Sequence, residues 1–126
     1  MTLDILIVDD DEDLEILIKK KFRADIAAHK MGLHFAKNGN DALVFLKTHP
    51  IHIVVTDLSM PGMDGYTLLS HLQEHTPKII TLVMSAYDDP AYQAKAIACG
   101  AFKFLVKPID LNVLKESLWE ASAQIS

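Results

Sequence analysis

The sequence predicts an α/β domain: five strands alternating with five helices around a parallel sheet covered on both faces. Three observations carry that reading. Short apolar runs recur, among them Ile5-Leu6-Ile7-Val8, Ile53-Val54-Val55 and Ile79 to Met84, and continuous runs of this kind suit strands buried on both faces. Segments with helical apolar spacing lie between them, and that alternation means βαβ units. Clusters of Gly, Pro, Asn and Asp punctuate the joins.

Leu3 to Val8 is the first strand, cut off by Asp9-Asp10-Asp11-Glu12-Asp13. Acids in the first turn of a helix suit its macrodipole. That helix carries Leu14, Leu17, Ile18, Phe22 and Ile26 on one stripe, with Lys19, Lys20 and Arg23 off it. Met31-Gly32 closes the unit, and Leu33 to Ala36 makes a second, shorter strand. Asn38-Gly39-Asn40-Asp41 turns into a helix bearing Ala42, Leu43 and Leu46, ended by Pro50. The third strand spans Ile51 to Thr56 and emerges at Asp57, where Met60-Pro61-Gly62-Met63-Asp64-Gly65 must break it. Asp64 is a candidate N-cap for a helix with Tyr66, Leu68, Leu69 and Leu72 inward, stopped by Pro77. Ile79 to Met84 is the fourth strand, with Ser85 at its carboxyl end. Asp88-Asp89-Pro90 caps a helix that runs through Ile97 to a stop at Gly100. Phe102 to Val106 is the fifth strand, ended by Lys107-Pro108. Asp110 caps a last helix with Leu111, Leu114, Leu118, Ala121 and Ile125 on one face, running almost to Ser126.

At 126 residues the chain suits one domain with a single core. A second domain, linker or repeat is not legible, so residues 1–126 are expected to be one domain, with any output module on a separate chain or cut away. The net charge of −5 disfavours direct nucleic-acid binding, which wants a basic face. The apolar runs fall short of the roughly 20 residues that span a membrane, and the start lacks a basic n-region. One cysteine, Cys99, fits a reducing compartment, with the cytoplasm as the expected location.

Strand ends decide function, because ligands of open parallel sheets bind at the carboxyl edge. That edge gathers Asp9, Asp10, Asp57, Ser85 and Lys107. Three carboxylates repel: at an effective dielectric near 20 and about 5 Å apart, each pair costs roughly 3 kcal/mol. A divalent cation relieves this, and hard oxygen ligands suit Mg²⁺. Lys107 adds a second positive charge, and the Ser85 hydroxyl can donate to a phosphoryl oxygen. Phosphoryl transfer needs such an in-line nucleophile with positive charge around it, which makes Asp57 the candidate acceptor. Taken singly, each residue has a bland explanation as a cap, a turn residue or a solvated charge. Four of them at four strand ends do not.

With those residues in view, the sequence resembles the receiver domain of two-component response regulators, the CheY-like family. The matching pieces are Val8-Asp9-Asp10, Asp57 to Gly65, Ser85-Ala86 and Gly100 to Pro108, in family order and spacing over essentially the whole chain. The resemblance implies a doubly wound, flavodoxin-like sheet in the order 2-1-3-4-5. It implies that Asp57 takes a phosphoryl group from a sensor histidine kinase or a histidine phosphotransfer protein. Mg²⁺ would be held by Asp10, Asp57 and the Ser59 backbone carbonyl, with Asp9 acting through water. Lys107 would pair with the phosphoryl group, Ser85 would move to bond it, and Phe104 would turn inward as the switch aromatic. The Lys107–Pro108 bond would be cis. Ser59 and Tyr87 fall where the family tunes dephosphorylation, and Tyr87 is bulky enough to shield an acyl phosphate from water. The surface of the last two helices and the fifth strand is where the family commonly signals to a downstream target or output domain, as a monomer or a phosphorylation-dependent dimer. The chain departs from the commonest pattern with Phe104 in place of Tyr, which removes a phenol, and Ser85 in place of Thr, which keeps the donor.

Other classes fit less well. Mg²⁺-dependent aspartyl-phosphate phosphatases use a second Asp two residues after the nucleophile, where this chain has Ser59. A nucleotide or flavin module wants a glycine- or hydroxyl-rich cradle after the first strand, where Asp9-Asp10-Asp11-Glu12 repels phosphate. A scaffold that signals without phosphorylation leaves the acidic cluster and Lys107 unexplained. The chemistry expected is transfer onto and off the chain's own Asp57, without a conventional turnover enzyme's substrate. His71 and His75 lie i, i+4 on the third helix but lack a third metal ligand. Cys99 beside Gly100 reads as a small buried residue, and Trp119 as a partly exposed rim residue with the chemistry of a partner hot spot.

Overall fold

The computed structural model describes residues 2–59, 65–75, 77–86 and 88–125. Strand β1 (Leu3–Val8) pairs in parallel with β2 (Met31–Ala36) on one side and β3 (Ile53–Asp57) on the other. Strands β4 (Ile80–Ser85) and β5 (Lys103–Val106) extend the sheet beyond β3, giving the order β2-β1-β3-β4-β5. Helices α1 (Glu12–Lys21), α2 (Arg23–Ala27) and α6 (Leu111–Ser122) cover one face. The other carries α3 (Gly39–Leu46), α4 (Gly65–Gln73) and α5 (Pro90–Ala98).

The two-residue period of each strand divides the core. Ile5, Ile7, Ile53, Val55, Leu82 and Met84 pack with Ile18 and Phe22 beneath Leu114 and Leu118. Leu6, Val8 and Val54 pack the other way, with Ala42, Leu46, Leu68 and Leu72. A satellite cluster of Leu58, Leu69, Val83, Ala96 and Ala101 fills the space under α4 and α5. The caps follow the sequence signals. Asp11, Asn38, Asp89 and Asp110 each accept backbone N–H bonds as N-caps, and Gly100 takes φ 106° just past α5. The Lys107–Pro108 bond is cis, as the resemblance implies.

Several boundaries differ from the sequence reading. Six helices are described instead of five, because the first breaks at Phe22 (φ −99°, ψ 11°) into α1 and α2. The line Leu14, Ile18, Phe22, Ile26 still packs on the core, but Leu17 is 52% exposed because those four residues already fill the groove. Met31-Gly32 begins β2 instead of closing the unit before it. Strand β3 runs from Ile53 to Asp57 and β4 from Ile80 to Ser85, each two or one residues later than expected at its start. Strand β5 begins at Lys103, leaving Phe102 exposed. Helix α3 ends at Leu46, before Pro50, and α6 ends at Ser122. His75 lies beyond the end of α4, with Nδ1 2.9 Å from the Pro77 carbonyl, so the two histidines do not share a helix. Cys99 is only partly buried. Trp119 is partly buried against the core beneath α6. Asp64 and Tyr87 lie outside the described residues.

Candidate functional site

Strand register assembles the site. Val8 stands opposite Thr56, so the residues that follow, Asp9 and Asp57, emerge side by side. This is the point where the strand order reverses, the crevice in which open α/β sheets bind ligands. Ser85 stands opposite Val106, and the Lys107 N–H donates to the Ser85 carbonyl at 2.7 Å. That bond carries the β4–β5 pairing one residue further and fixes the Lys107 backbone at the carboxyl edge.

Asp57 is 7% exposed at the end of β3. Its Oδ1 accepts the Ser59 N–H at 3.0 Å, and its Oδ2 accepts from Lys107 Nζ at 2.8 Å. The same ammonium donates to Asp9 Oδ2 at 2.9 Å, while Asp9 Oδ1 accepts the Asp11 N–H at 2.9 Å. Asp10 is exposed, and one oxygen from each of Asp9, Asp10 and Asp57 lies within 4.8 Å of the others. Asp11, whose side chain caps α1, leaves Asp9 and Asp10 ahead of the helix, free to face the crevice. Burial opposes the charge on Lys107. Its hydrogen bonds to Asp57 and Asp9, with the charges of both, outweigh that and hold the ammonium above the ordinary lysine value.

One ammonium against three carboxylates leaves a surplus of negative charge. An all-oxygen donor set of this spacing fits a hard divalent cation.

Of the residues read from sequence, Asp9, Asp10, Asp57 and Lys107 are brought together. Ser59 joins through its amide. Ser85 is 2% exposed and borders Lys107 through the backbone. Phe104, opposite Val83 in register, packs half-buried on the cluster of Leu58, Leu69, Val83, Ala96 and Ala101. Two contributors went unread. The Lys107–Asp9 pair joins positions far apart in sequence, and only strand order reveals it. Gly65 does more than break the strand: a Cβ there would lie 2.5 Å from Leu58 Cα and 2.7 Å from the Asp57 carbonyl oxygen. Its place just after Met60-Pro61-Gly62-Met63-Asp64, a cluster of turn-forming residue types, was the available signal.

Fold and site together define a doubly wound α/β protein with a lysine-braced acidic cluster at its switch point. Residues 5–118 match the response regulator receiver domain, and the chain belongs to that family. It is a signalling domain, a phosphoacceptor switch of two-component systems. The regulatory protein AtoC of Escherichia coli is 35% identical over 111 residues, which cover 87% of this chain and 23% of AtoC. The response regulator protein PilR of Pseudomonas aeruginosa is 31% identical over 111 residues, 88% of this chain and 24% of PilR. The chain thus spans about a quarter of the length of these curated relatives. Among solved structures, the receiver domain of an HD domain-containing protein from Pseudomonas fluorescens superposes with a TM-score of 0.88 at 27% identity, covering 98% of this chain and 97% of that one. The Francisella response regulator 1452 receiver domain gives 0.88 at 24% identity over 99% and 100%, a likeness of fold. Among the described residues no helix is long and apolar enough to cross a membrane.

Proposed function

We propose that Asp57 is the phosphoacceptor, that Asp9, Asp10, Asp57 and the Ser59 carbonyl hold Mg²⁺, and that Lys107 and Ser85 bind the transferred group. The observation that carries the reading is the bracing of Asp57 and Asp9 by one ammonium, with Asp10 alongside. The donor is a phosphohistidine on a sensor kinase or a phosphotransfer protein. A carboxylate oxygen of Asp57 forms a new P–O bond as the P–N bond breaks, and the electron pair leaves on the imidazole nitrogen. Mg²⁺, when bound, neutralises charge on the equatorial phosphoryl oxygens. Lys107 is already charged and already in place, so it turns from carboxylate to phosphoryl oxygen with little reorganisation.

Phosphorylation of Asp57 removes a charge that Lys107 had paired and adds a larger one beside Ser85. Movement of the Ser85 hydroxyl toward it opens room for the half-buried Phe104 ring, and the surface of α5, β5 and α6 changes in turn. Phe104 has no phenol to fix the inward position, so this coupling is looser than a tyrosine would give. Tyr87 slows hydrolysis of the acyl phosphate. Residues 1–126 act as one receiver domain in the cytoplasm, without direct nucleic-acid or membrane contact. They pass the signal to a downstream protein or an output module as a monomer or a phosphorylation-dependent dimer.

The decisive experiment is intact mass after incubation with acetyl phosphate, with and without Mg²⁺, beside Asp57→Asn. A Mg²⁺-dependent gain of one phosphoryl group, absent in the variant, is expected. A gain that persists in Asp57→Asn places the acceptor elsewhere, and no gain in the wild type removes the switch reading.

A further inference from the structure

Helix α5 is loosely held. Of its nine residues only Ala96 is buried, and elements with so few buried contacts sit at the low end of local stability. Tyr66, in the first turn of α4, reaches across to it twice. Its hydroxyl donates to the Tyr92 carbonyl at 3.3 Å, and its ring lies under the Lys95 ammonium at 4.2 Å from the centroid. The ring also packs on the cluster of Leu58, Leu69, Val83, Ala96 and Ala101, where Phe104 and Cys99 lie too.

The other end of this connection is fixed to Asp57. Gly65, one residue before Tyr66, donates its N–H to the Leu58 carbonyl at 3.0 Å. It sits so close to the backbone of Asp57 and Leu58 that a Cβ has no room. The start of α4 is thus in direct contact with that backbone.

We propose that Tyr66 is a positioning residue that couples the backbone beside Asp57 to helix α5, in parallel with Phe104. The proposal rests on Asp57 being the phosphoacceptor. Phosphorylation shifts the Asp57–Leu58 backbone, Gly65 transmits the shift, and Tyr66 delivers it to Tyr92 and Lys95.

Cys99, the single thiol and the C-cap of α5, is a native reporter of that helix. The rate of Cys99 alkylation is measured in Mg²⁺, with and without acetyl phosphate, for wild type, Tyr66→Leu and Lys95→Gln. Intact mass gives phosphoryl occupancy in the same samples. Wild-type alkylation is expected to change by roughly threefold or more on phosphorylation, the scale on which single residues modulate coupling. Tyr66→Leu should reach equal occupancy and lose most of that change. Lys95→Gln, an alteration at an exposed position, should lose part of it and keeps the test open if Tyr66→Leu fails to fold. A full response in the variants at equal occupancy overturns the proposal, as does a phosphorylated wild type whose Cys99 does not respond. A wild type that gains no phosphoryl group refutes the acceptor reading instead. Hydrogen exchange over residues 90–98 then judges the tether alone: faster exchange in Tyr66→Leu supports it, and unchanged exchange overturns it.

Discussion

Lys107, one residue past β5, donates to Asp57 at the end of β3 across 2.8 Å, and it shares the same ammonium with Asp9. This contact links the fold to its chemistry. Lys107→Met keeps the apolar stem and removes the charge, leaving three carboxylates without an internal cation. Phosphoryl uptake from acetyl phosphate, followed by mass, should slow by roughly a hundredfold, the usual effect of deleting one preorganised donor. Uptake at the wild-type rate would remove Lys107 from the transfer step.

The same pair gives a pH signature in metal-free protein. Lys107 is held above the ordinary lysine value of 10.5, so its pairing stabilises the fold fully below that pH. The contribution disappears as pH rises through the raised value. The stability difference between wild type and Lys107→Met, from denaturant titrations, should be constant through neutral pH and shrink only above 10.5. A difference that vanishes on acidification above the carboxylate range contradicts this assignment.

Asp10 is the exposed member of the acidic cluster, within 4.8 Å of its partners. Without a cation it mainly repels, so Asp10→Asn should raise metal-free stability by about 1 kcal/mol or less, given solvent screening. The wild type should gain stability as Mg²⁺ is added, by about 2.7 kcal/mol at a hundredfold excess over the dissociation constant. The variant should gain much less. Equal Mg²⁺-induced shifts in melting temperature would place the cation elsewhere.

Gly65→Ala adds a methyl group against backbone atoms of Asp57 and Leu58 that cannot rotate away. A loss of roughly 1–3 kcal/mol is expected, the range for overpacking a tight site. Chemical denaturation measures it, and an unchanged midpoint would mean that the approach is slack.

Thr81 in β4 buries a hydroxyl with no hydrogen-bond partner among the described residues. Thr81→Val replaces it with a methyl of similar shape and should stabilise the protein by about 1 kcal/mol, since the desolvation penalty is relieved. A destabilised variant would reveal a partner for the hydroxyl in solution.

Much of the architecture was legible because doubly buried strands leave an unambiguous record. Ile5 to Val8, Ile53 to Val55 and Leu82 to Met84 are apolar at every position, a pattern that amphipathic surface helices do not give. The helix starts were legible through Asp11, Asn38, Asp89 and Asp110, whose capping is local chemistry. The break at Phe22 was not. The apolar line Leu14, Ile18, Phe22, Ile26 continues across it, and periodicity is blind to a backbone turn that keeps the face in register. Leu17 misled for a related reason, since an apolar side chain beside a filled groove stays outside.

At the site, the residue types at strand ends pointed to Asp9, Asp10, Asp57 and Lys107 before their geometry was known. Their pairing depends on which strands are neighbours, and no local signal in the chain encodes that. The contact of Gly65 with Leu58 is likewise a matter of tertiary distance, invisible in a glycine that reads equally well as a turn former.

Strand β3 is the middle strand of five, flanked by β1 and β4 and covered on both faces. Asp57 is therefore mounted at the end of the central strand, where backbone pairing on both sides gives way to the crevice. Any bulk or charge added to its carboxylate has the packed sheet behind it and the carboxyl edge in front. The residues that border it there, Ser59, Gly65 and Lys107, are the first to meet any group added to the carboxylate.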